Sequence, residues 1–539
     1  MRIIFTWSLV FALLAITFFV YFPVLSYDFV YYDDYGYVVE NQFIRGFSWS
    51  NFWGLLTQTD MAYWGPSTYF SFAIDYYFWQ FDPFGYHLSN LIGHGINVVL
   101  LFFLIAYILR LSQFQHSPFF SQITAAFAAL LFAIHPQHVE PVVWIASRKD
   151  VLSLALFLLT VLCYFQYHQA QQNRVKKIWY FTAIFCFIIA IGAKPIVMTL
   201  PVILLLFDVY LLRRLPQESI KKLLLEKVPF FLLALIPALF TVYGHAQSAV
   251  LADLQQVSLD FRLLNAAQTI LLYLSHAIIP VGFSVFYPLP KAEELTVLPL
   301  LAVILITLFL FLRRQSLSFL LMSWLFFLIT LFPVLGIISF NQIQAGADRF
   351  VYLPILPFYA LLSAVTIRFL QDKKRVIQIM MGVVLLGLIL TLSLLTRQQQ
   401  TMWQNDVTLW QHASQQHPEQ RIIYEYLATA YRRIGQPMRA IESLKQAIQL
   451  NPNCLRCYKE LAELYLQINQ PHTALALFTQ MTEKISDCMA ELDRVYFNMA
   501  LLHYQLGNIE SALHFSQRAL QCNPNHSQAM QLKDHLTPM

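Results

Sequence analysis

Charge is what this chain most lacks. Only 12% of its 539 residues are Asp, Glu, Lys or Arg and 58% are hydrophobic, whereas soluble domains carry roughly 25% charged residues. Mean hydropathy is +0.54, so most of the chain lives in lipid. Positive charge is not gathered either. The net charge of +5 is small for the length, and no basic tract with interleaved aromatics appears, which excludes a nucleic-acid partner. Cysteine is scarce: Cys163, Cys186, Cys454, Cys457, Cys488 and Cys522 form no metal-ligand pattern. Cys454-x-x-Cys457 reads as two ordinary helix residues rather than a redox or zinc pair. Also missing is a small-residue cleavage site after IIFTWSLVFALLAITFFVYF, so this first apolar run is expected to stay as an anchor rather than leave as a signal peptide.

What is present is a series of apolar runs of about 20 residues, the length that crosses a bilayer. Eleven crossings are expected, at 3–22, 87–110, 121–134, 150–167, 178–193, 196–212, 228–243, 295–312, 317–332, 355–370 and 376–396. Short loops rich in Lys and Arg stay in the cytoplasm. Arg174, Lys176 and Lys177, then Arg213, Arg214, Lys221 and Lys222, then Arg313 and Arg314, then Lys373, Lys374 and Arg375 mark those loops. The first extracytoplasmic loop is then 23–85, and 135–150, Lys194-Pro195, 244–294 and 332–354 share its side. The apolar stretch 266–280 would break the alternation if it crossed, and reads as a helix at or within the outer leaflet.

After residue 397 polar residues replace the apolar runs, with 398–420 as a linker and first helix and 421–539 as an extracytoplasmic repeat domain. Leu427, Ala428, Tyr431, Ala440, Leu444, Ala447 and Pro452 recur as Leu461, Ala462, Tyr465, Ala474, Phe478 and Met481. A third unit carries Met499, Ala500, His503, Gly507, Ala512, Ala519 and Pro524. Small residues where paired helices touch and Pro after the second helix match the tetratricopeptide pattern. Such arrays hold a peptide or partner protein on their concave face.

The chemistry gathers in the outer loops. "YYDDYG" places Asp33 and Asp34 in an aromatic bed just past the first helix. Of two adjacent carboxylates, one can hold a charge while the other accepts a proton from a hydroxyl. Arg148, Lys149, Lys194 and Arg349 lie where the positive-inside rule disfavours them. Singly each reads as snorkelling or a local salt bridge, Arg349 with Asp348 or Lys149 with Asp150. Together they suit an anionic group such as a lipid phosphate. His135, His138 and Glu140 in HPQHVE fit a hydrogen-bonded loop better than a metal centre. Were such a phosphate a leaving group, an acid pair could activate an acceptor oxygen while the cations stabilise the departing charge.

The blocks "YYDDYGYVVEN", "GYHLSNLIGH", "HPQHVEPVVWIASRKDVLS", "AKPIVMTLPVILLLFD", "SVFYPLP" and "DRFVYLP", in that order and closed by repeats, resemble the transmembrane and tetratricopeptide-containing O-mannosyltransferases and their bacterial relatives. The resemblance spans nearly the whole chain. It implies an all-α membrane bundle of the C-type glycosyltransferase kind with a C-terminal repeat solenoid. The implied reaction moves a sugar from a polyprenyl-phosphate carrier to an acceptor hydroxyl, commonly Ser or Thr of a protein. The implied catalytic pair is Asp33 and Asp34, with Arg148, Lys149, Lys194 and Arg349 on the donor phosphate. Asn41, His87, His135, His138, Glu140, Asp348 and Tyr352 would support them. Where relatives read Tyr-Arg-Pro-Leu, this chain has Trp64-Gly65-Pro66-Ser67, one positive charge fewer, so mannose itself does not carry over.

The expected partners are the lipid-linked sugar, an acceptor protein or peptide on the repeats, and membrane lipid. No metal is assigned, although a divalent ion would be compatible with the transfer. Compact size and short loops favour a bacterial inner membrane, with the N-terminus cytoplasmic and the repeats periplasmic. The alternatives are a non-enzymatic repeat scaffold for envelope proteins, and a same-fold transferase acting on a lipid or polysaccharide. A transporter is disfavoured because its charges would sit near midplane.

Overall fold

The structure is a computed structural model; it describes residues 2–58, 64–111, 118–215, 217–247, 257–338, 344–483 and 492–537. Parts of the outer loops expected at 23–85, 244–294 and 332–354, as well as Cys488, lie outside the described residues. Two compact units divide the chain, Met1–Asn405 and Asp406–Met539.

In the first unit each of the eleven apolar stretches is helical. Among the described residues, five helices are long and apolar enough to cross a membrane: Ile3–Ser26, Pro83–Arg110, Ile145–Gln169, Asn173–Ala193 and Arg375–Trp403. Phe119–Ile134 and Pro136–Val143 form a pair bent by 60° at His135. Pro136, which cannot continue a helix at that point, marks the bend. Pro195–Tyr210, Leu298–Leu312, Ser318–Val334 and Leu356–Gln371 are shorter and apolar, and Ile220–Gln247 carries Pro229 and Pro237 inside it. The protein is an integral membrane protein.

The helices that frame the site are α1 (Arg2–Tyr21), α2 (Trp49–Thr57), α3 (Pro66–Trp79), α4 (Pro83–Leu111), α5 (Pro118–Ile134), α6 (Val139–Val143), α7 (Arg148–Gln169), α8 (Asn173–Ala193), α9 (Leu200–Tyr210), α10 (Ile220–Gln247) and α11 (Leu259–Ile278). After them come α12 (Leu298–Leu312), α13 (Ser318–Leu331), α14 (Leu356–Gln371) and α15 (Arg375–Gln400). The first outer loop is largely helical: a π-type turn over Tyr35–Val39, a 3-10 turn over Gln42–Ile44, then α2 and α3. Ser48 caps α2 by accepting from the Asn51 N–H at 3.1 Å.

Helix α11, which covers the stretch expected in the outer leaflet, buries one face through Asn265, Ala266, Thr269, Ile270, Tyr273 and His276. Its Tyr273 hydroxyl accepts from the Ala347 N–H at 2.9 Å. A Cβ on Gly346 would lie 2.5 Å from that hydroxyl, so only glycine lets the backbone come this close. The chain there forms β2 (Gln344–Gly346), antiparallel to β1 (Tyr287–Pro288), with Tyr287 opposite Gly346.

A second polar cluster, unforeseen in the sequence, joins α7, α9 and α10. Lys227 and Asp208, both fully buried, form an ion pair. Tyr164 donates to Asp208 at 2.8 Å, and Arg214 meets Asp208 at 3.1 Å, Glu226 at 2.7 Å and Glu218 at 2.6 Å. Arg214, read from sequence as a loop charge, is thus a buried strut. Breaking a buried pair strands a charge, so Lys227→Met should destabilise the bundle by about 3–5 kcal/mol. Unfolding in detergent would measure it, and an unchanged transition would contradict this role.

The second unit continues with α16 (Asp406–Gln416), α17 (Arg421–Arg433), α18 (Pro437–Leu450), α19 (Leu455–Gln467), α20 (Pro471–Glu483), α21 (Leu492–Gln505), α22 (Ile509–Cys522) and α23 (Ser527–Leu536). The repeat residues are its core: Ala428, Ala440, Ala447, Ala462, Ala474, Phe478, Met499, Ala500, Ala512 and Ala519 are all buried. Cys454 and Cys457 are not ordinary helix residues: they form a disulfide. The pair stands at the N-cap and third position of α19, where one helical turn brings the two side chains together. Cys522 is disulfide-bonded as well, while Cys163 and Cys186 in the first unit are free.

Candidate functional site

The adjacent carboxylates of "YYDDYG" have separate fates. Asp34 is 1% exposed; it accepts from the Val30 N–H at 3.0 Å and from the Ala146 N–H at 2.8 Å. It therefore ties the first loop to the Ile145–Ser147 turn. Asp33, one residue earlier, keeps 28% of its side chain exposed and lies 3.6 Å from Lys149 Nζ. That ammonium also donates to the Tyr37 hydroxyl at 3.3 Å and lies over the Tyr37 and Trp144 rings, 4.7 and 5.6 Å from their centroids. Burial first, then the Asp33 charge, pushes the Tyr37 phenol well above its usual range.

Trp144 is the platform of the site. Tyr32 stacks on it at 5.1 Å, Trp403 stacks at 5.6 Å, and the Arg349 guanidinium lies over it at 5.0 Å. Asn90 holds its carbonyl at 3.0 Å. Arg349 is clamped by Glu140, one carboxylate oxygen on the guanidinium and the other on the Arg349 N–H at 2.9 Å. Phe350 carries the second platform, with Arg349 at 5.0 Å and Lys194 Nζ at 5.4 Å from its centroid. Lys194 pairs with Asp150. Burial lowers the Lys194 pKa from the ordinary lysine value, and Asp150 opposes this only in part. Three cations from three chain segments thus gather around two aromatic rings beside an accessible carboxylate. The partners differ from the sequence expectation: Arg349 pairs with Glu140 rather than Asp348, and Lys149 with Asp33 rather than Asp150. Neighbours in sequence point apart at a helix start, whereas residues of the facing loop point in.

Asp348 turns the other way. Tyr287 donates to it at 2.8 Å and His276 Nδ1 lies 3.6 Å off; burial raises its carboxyl above the usual range. It fastens β1, through Tyr287, behind Arg349. Gln344 in β2 donates to the Tyr32 hydroxyl at 2.7 Å, closing the ring of loops.

Arg148 is a strut, not a member of the cation cluster. Its guanidinium meets Asp75 at 2.7 Å, the Tyr86 carbonyl at 2.9 Å, Asn90, and the Ser71 hydroxyl at 3.4 Å. It locks α3 to α4 from the start of α7. The histidines also face inward. His135 accepts from the Gln137 N–H at 3.2 Å, His138 bonds the Tyr359 hydroxyl at 3.1 Å, and His87 packs edge-on against Tyr27 at 6.4 Å. Tyr352 bonds His94 at 2.7 Å and Asn97 at 3.2 Å. Asn41 accepts from the Phe43 N–H at 3.0 Å and starts the Gln42–Ile44 turn. These groups shape the site without entering it. Trp144 and Phe350 went unassigned in the sequence, although Phe350 directly follows Arg349 and Trp144 lies midway between Glu140 and Arg148.

The segment Trp64–Ser67, where the resemblance implied an arginine, docks on the end of α8. Ser67 donates to the Ile189 carbonyl at 2.9 Å and Thr68 to the Ala193 carbonyl at 3.0 Å. Gly192 admits this contact, since a Cβ there would lie 2.6 Å from the Ser67 hydroxyl.

The tetratricopeptide repeat family matches residues 431–496 and, in a second form, 493–526. Protein O-mannosyl-transferase TMTC4 of Homo sapiens is 30% identical over 219 residues, 37% of this chain and 29% of that protein. Its Mus musculus counterpart is 28% identical over 216 residues, again 37% and 29%. The Xenopus laevis protein O-mannosyl-transferase tmtc2 is 28% identical over 39% of this chain and 25% of its own length. The matched region therefore spans under a third of these relatives. Among solved structures, MamA is 18% identical with a TM-score of 0.22, covering 24% of this chain and 74% of MamA. YrrB, a TPR protein, is also 18% identical with a TM-score of 0.21, covering 29% and 88%. The chain is an integral membrane protein with tetratricopeptide repeats, similar over somewhat more than a third of its length (37%) to the protein O-mannosyl-transferases.

Proposed function

We propose that this protein is a membrane glycosyltransferase that moves a sugar from a polyprenyl-phosphate carrier to a Ser or Thr hydroxyl of an extracytoplasmic protein. The observation that carries the reading is the convergence of Asp33, Lys149, Lys194 and Arg349 on Trp144 and Phe350. Asp33 is the base: its carboxylate is reachable, whereas Asp34 is a buried tether. Lys149, Lys194 and Arg349 take the charge that grows on the leaving phosphate, the part of the reaction where fixed cations help most. The two aromatic platforms exclude water around them.

The eleven crossings are the five long helices, the bent pair, the four shorter helices and Ile220–Gln247. An odd number puts the two ends of the bundle on opposite sides, with the acidic and basic site and the repeats both outside and the N-terminus in the cytoplasm. Disulfides at Cys454–Cys457 and Cys522, beside free Cys163 and Cys186 in the bundle, fit repeats in an oxidising compartment, such as a bacterial periplasm. The concave face of the repeats would present the acceptor.

The test is reconstitution of the full chain with polyprenyl-phosphate sugars and envelope peptides, read by intact mass. Failure of every sugar tested to add mass would sink the reading. The Lys194 pKa supplies a finer check. Because that pKa is depressed, Lys194 loses its charge earlier than an ordinary lysine as pH rises, so kcat/KM for the donor should fall on the alkaline side. Lys194→Arg should carry that limb to higher pH. An alkaline limb unmoved by this change would remove Lys194 from the phosphate site.

A further inference from the structure

We propose that Cys454–Cys457 is an exchangeable disulfide that oxidises dithiols, an activity of the repeat domain separate from sugar transfer. The pair links residues three apart within one turn of α19. It joins no two distant elements, and a ring this short contributes least to the stability of a fold. Its surroundings are instead those that tune sulfur chemistry. Cys454 occupies the N-cap and its sulfur accepts from the Cys457 N–H at 3.2 Å. The Arg421 guanidinium, reaching across from α17, lies 3.3 Å from the same sulfur. Both contacts favour a thiolate at Cys454.

A buried carboxylate completes the set. Glu425 lies 4.0 Å from Cys454 Sγ, pairs with Arg421, and has Arg456 Nε at 3.9 Å. The Glu425 oxygen and both sulfurs fall within 4.8 Å of one another. Access differs between the sulfurs' residues: Cys454 is 6% exposed and Cys457 not at all. The attack is assigned to Cys454, the less buried of the two.

A thiolate of the incoming dithiol attacks Cys454 Sγ, the bond to Cys457 breaks, and its electron pair leaves on Cys457. The second thiolate of the same molecule then attacks its own sulfur in the mixed disulfide. The incoming molecule departs as a disulfide and the electron pair of the broken bond stays on Cys454, where Arg421 and the Cys457 N–H stabilise it. Two electrons pass from the dithiol to the protein pair; one of the two thiol protons ends on Cys457 and the other passes to solvent, leaving Cys454 as the thiolate. A more stable thiolate makes the disulfide the better oxidant.

Full-length oxidised protein in detergent, exposed to dithiothreitol, acid-quenched and alkylated, would report each cysteine by peptide mass. Cys454–Cys457 should be reduced about 100-fold faster than the Cys522 disulfide, the internal structural control. Arg421→Gln, which removes the cation beside the Cys454 thiolate released in the second attack, should slow full reduction about tenfold, and Arg421→Lys should restore most of the rate. Cys457→Ser offered oxidised glutathione should hold glutathione on Cys454. Reduction of both disulfides at one rate, or a rate indifferent to both Arg421 variants, would overturn the proposal. The Arg421 variants keep it testable if Cys457→Ser does not fold.

Discussion

Asp33→Asn is expected to lower sugar-transfer turnover by about 10²–10⁴-fold, the usual contribution of a positioned general base, in a protein that still inserts and melts normally. The substitution keeps the side chain's shape and removes only its ability to take a proton. Its neighbour should behave otherwise. Asp34 receives two backbone N–H groups on its two oxygens, and an asparagine has one carbonyl oxygen to offer. One buried N–H would then face an amide NH₂, at a stability cost of about 1–3 kcal/mol. Asp34→Asn should melt earlier while keeping turnover within about tenfold of the parent, below what loss of a general base removes, when assayed below its transition. The reverse pattern, full activity in Asp33→Asn and none in folded Asp34→Asn, would move the base assignment to Asp34.

Arg349→Gln should damage both halves of the molecule's work. Glu140 is buried and takes the Arg349 side chain on one oxygen and its backbone N–H on the other. Loss of the guanidinium leaves a buried carboxylate half-satisfied, a loss of about 3–5 kcal/mol. It also removes a cation from the donor phosphate, for which about 10²–10³-fold in turnover is expected. Adding Glu140→Gln separates the effects, because the stranded charge disappears. The double variant should regain the melting transition and remain inactive. Recovery of turnover in the double variant would show that Arg349 serves the fold and not the reaction.

Much of the architecture was legible in the residues. The apolar runs became helices because a backbone in lipid has no water to bond and must satisfy itself within the segment. The repeats were legible because Ala440, Ala474 and Ala512 mark, at a nearly regular period, where only a small side chain fits between paired helices. Both signals are local and periodic. Lys149, Lys194 and Arg349 stood out as basic residues in loops that the positive-inside pattern assigns to the outer side, and Asp33 as one of two adjacent carboxylates.

Pairing was not legible. Whether Arg349 met Asp348 or Glu140 depended on a contact across 209 residues, and Asp34 met its tether across 112. Arg148 and Lys149 are adjacent, yet one braces α3 and α4 while the other faces Asp33. The polar knot of Asp208, Arg214 and Lys227 likewise drew on two helices and the loop between them, and Cys454 and Cys457 joined only because a helix start turned both inward. Composition and periodicity decide what each segment must be, since they act through solvent and backbone within a few residues. Which side chain faces which is decided by packing, because burial makes every charge depend on the one partner the fold brings to it.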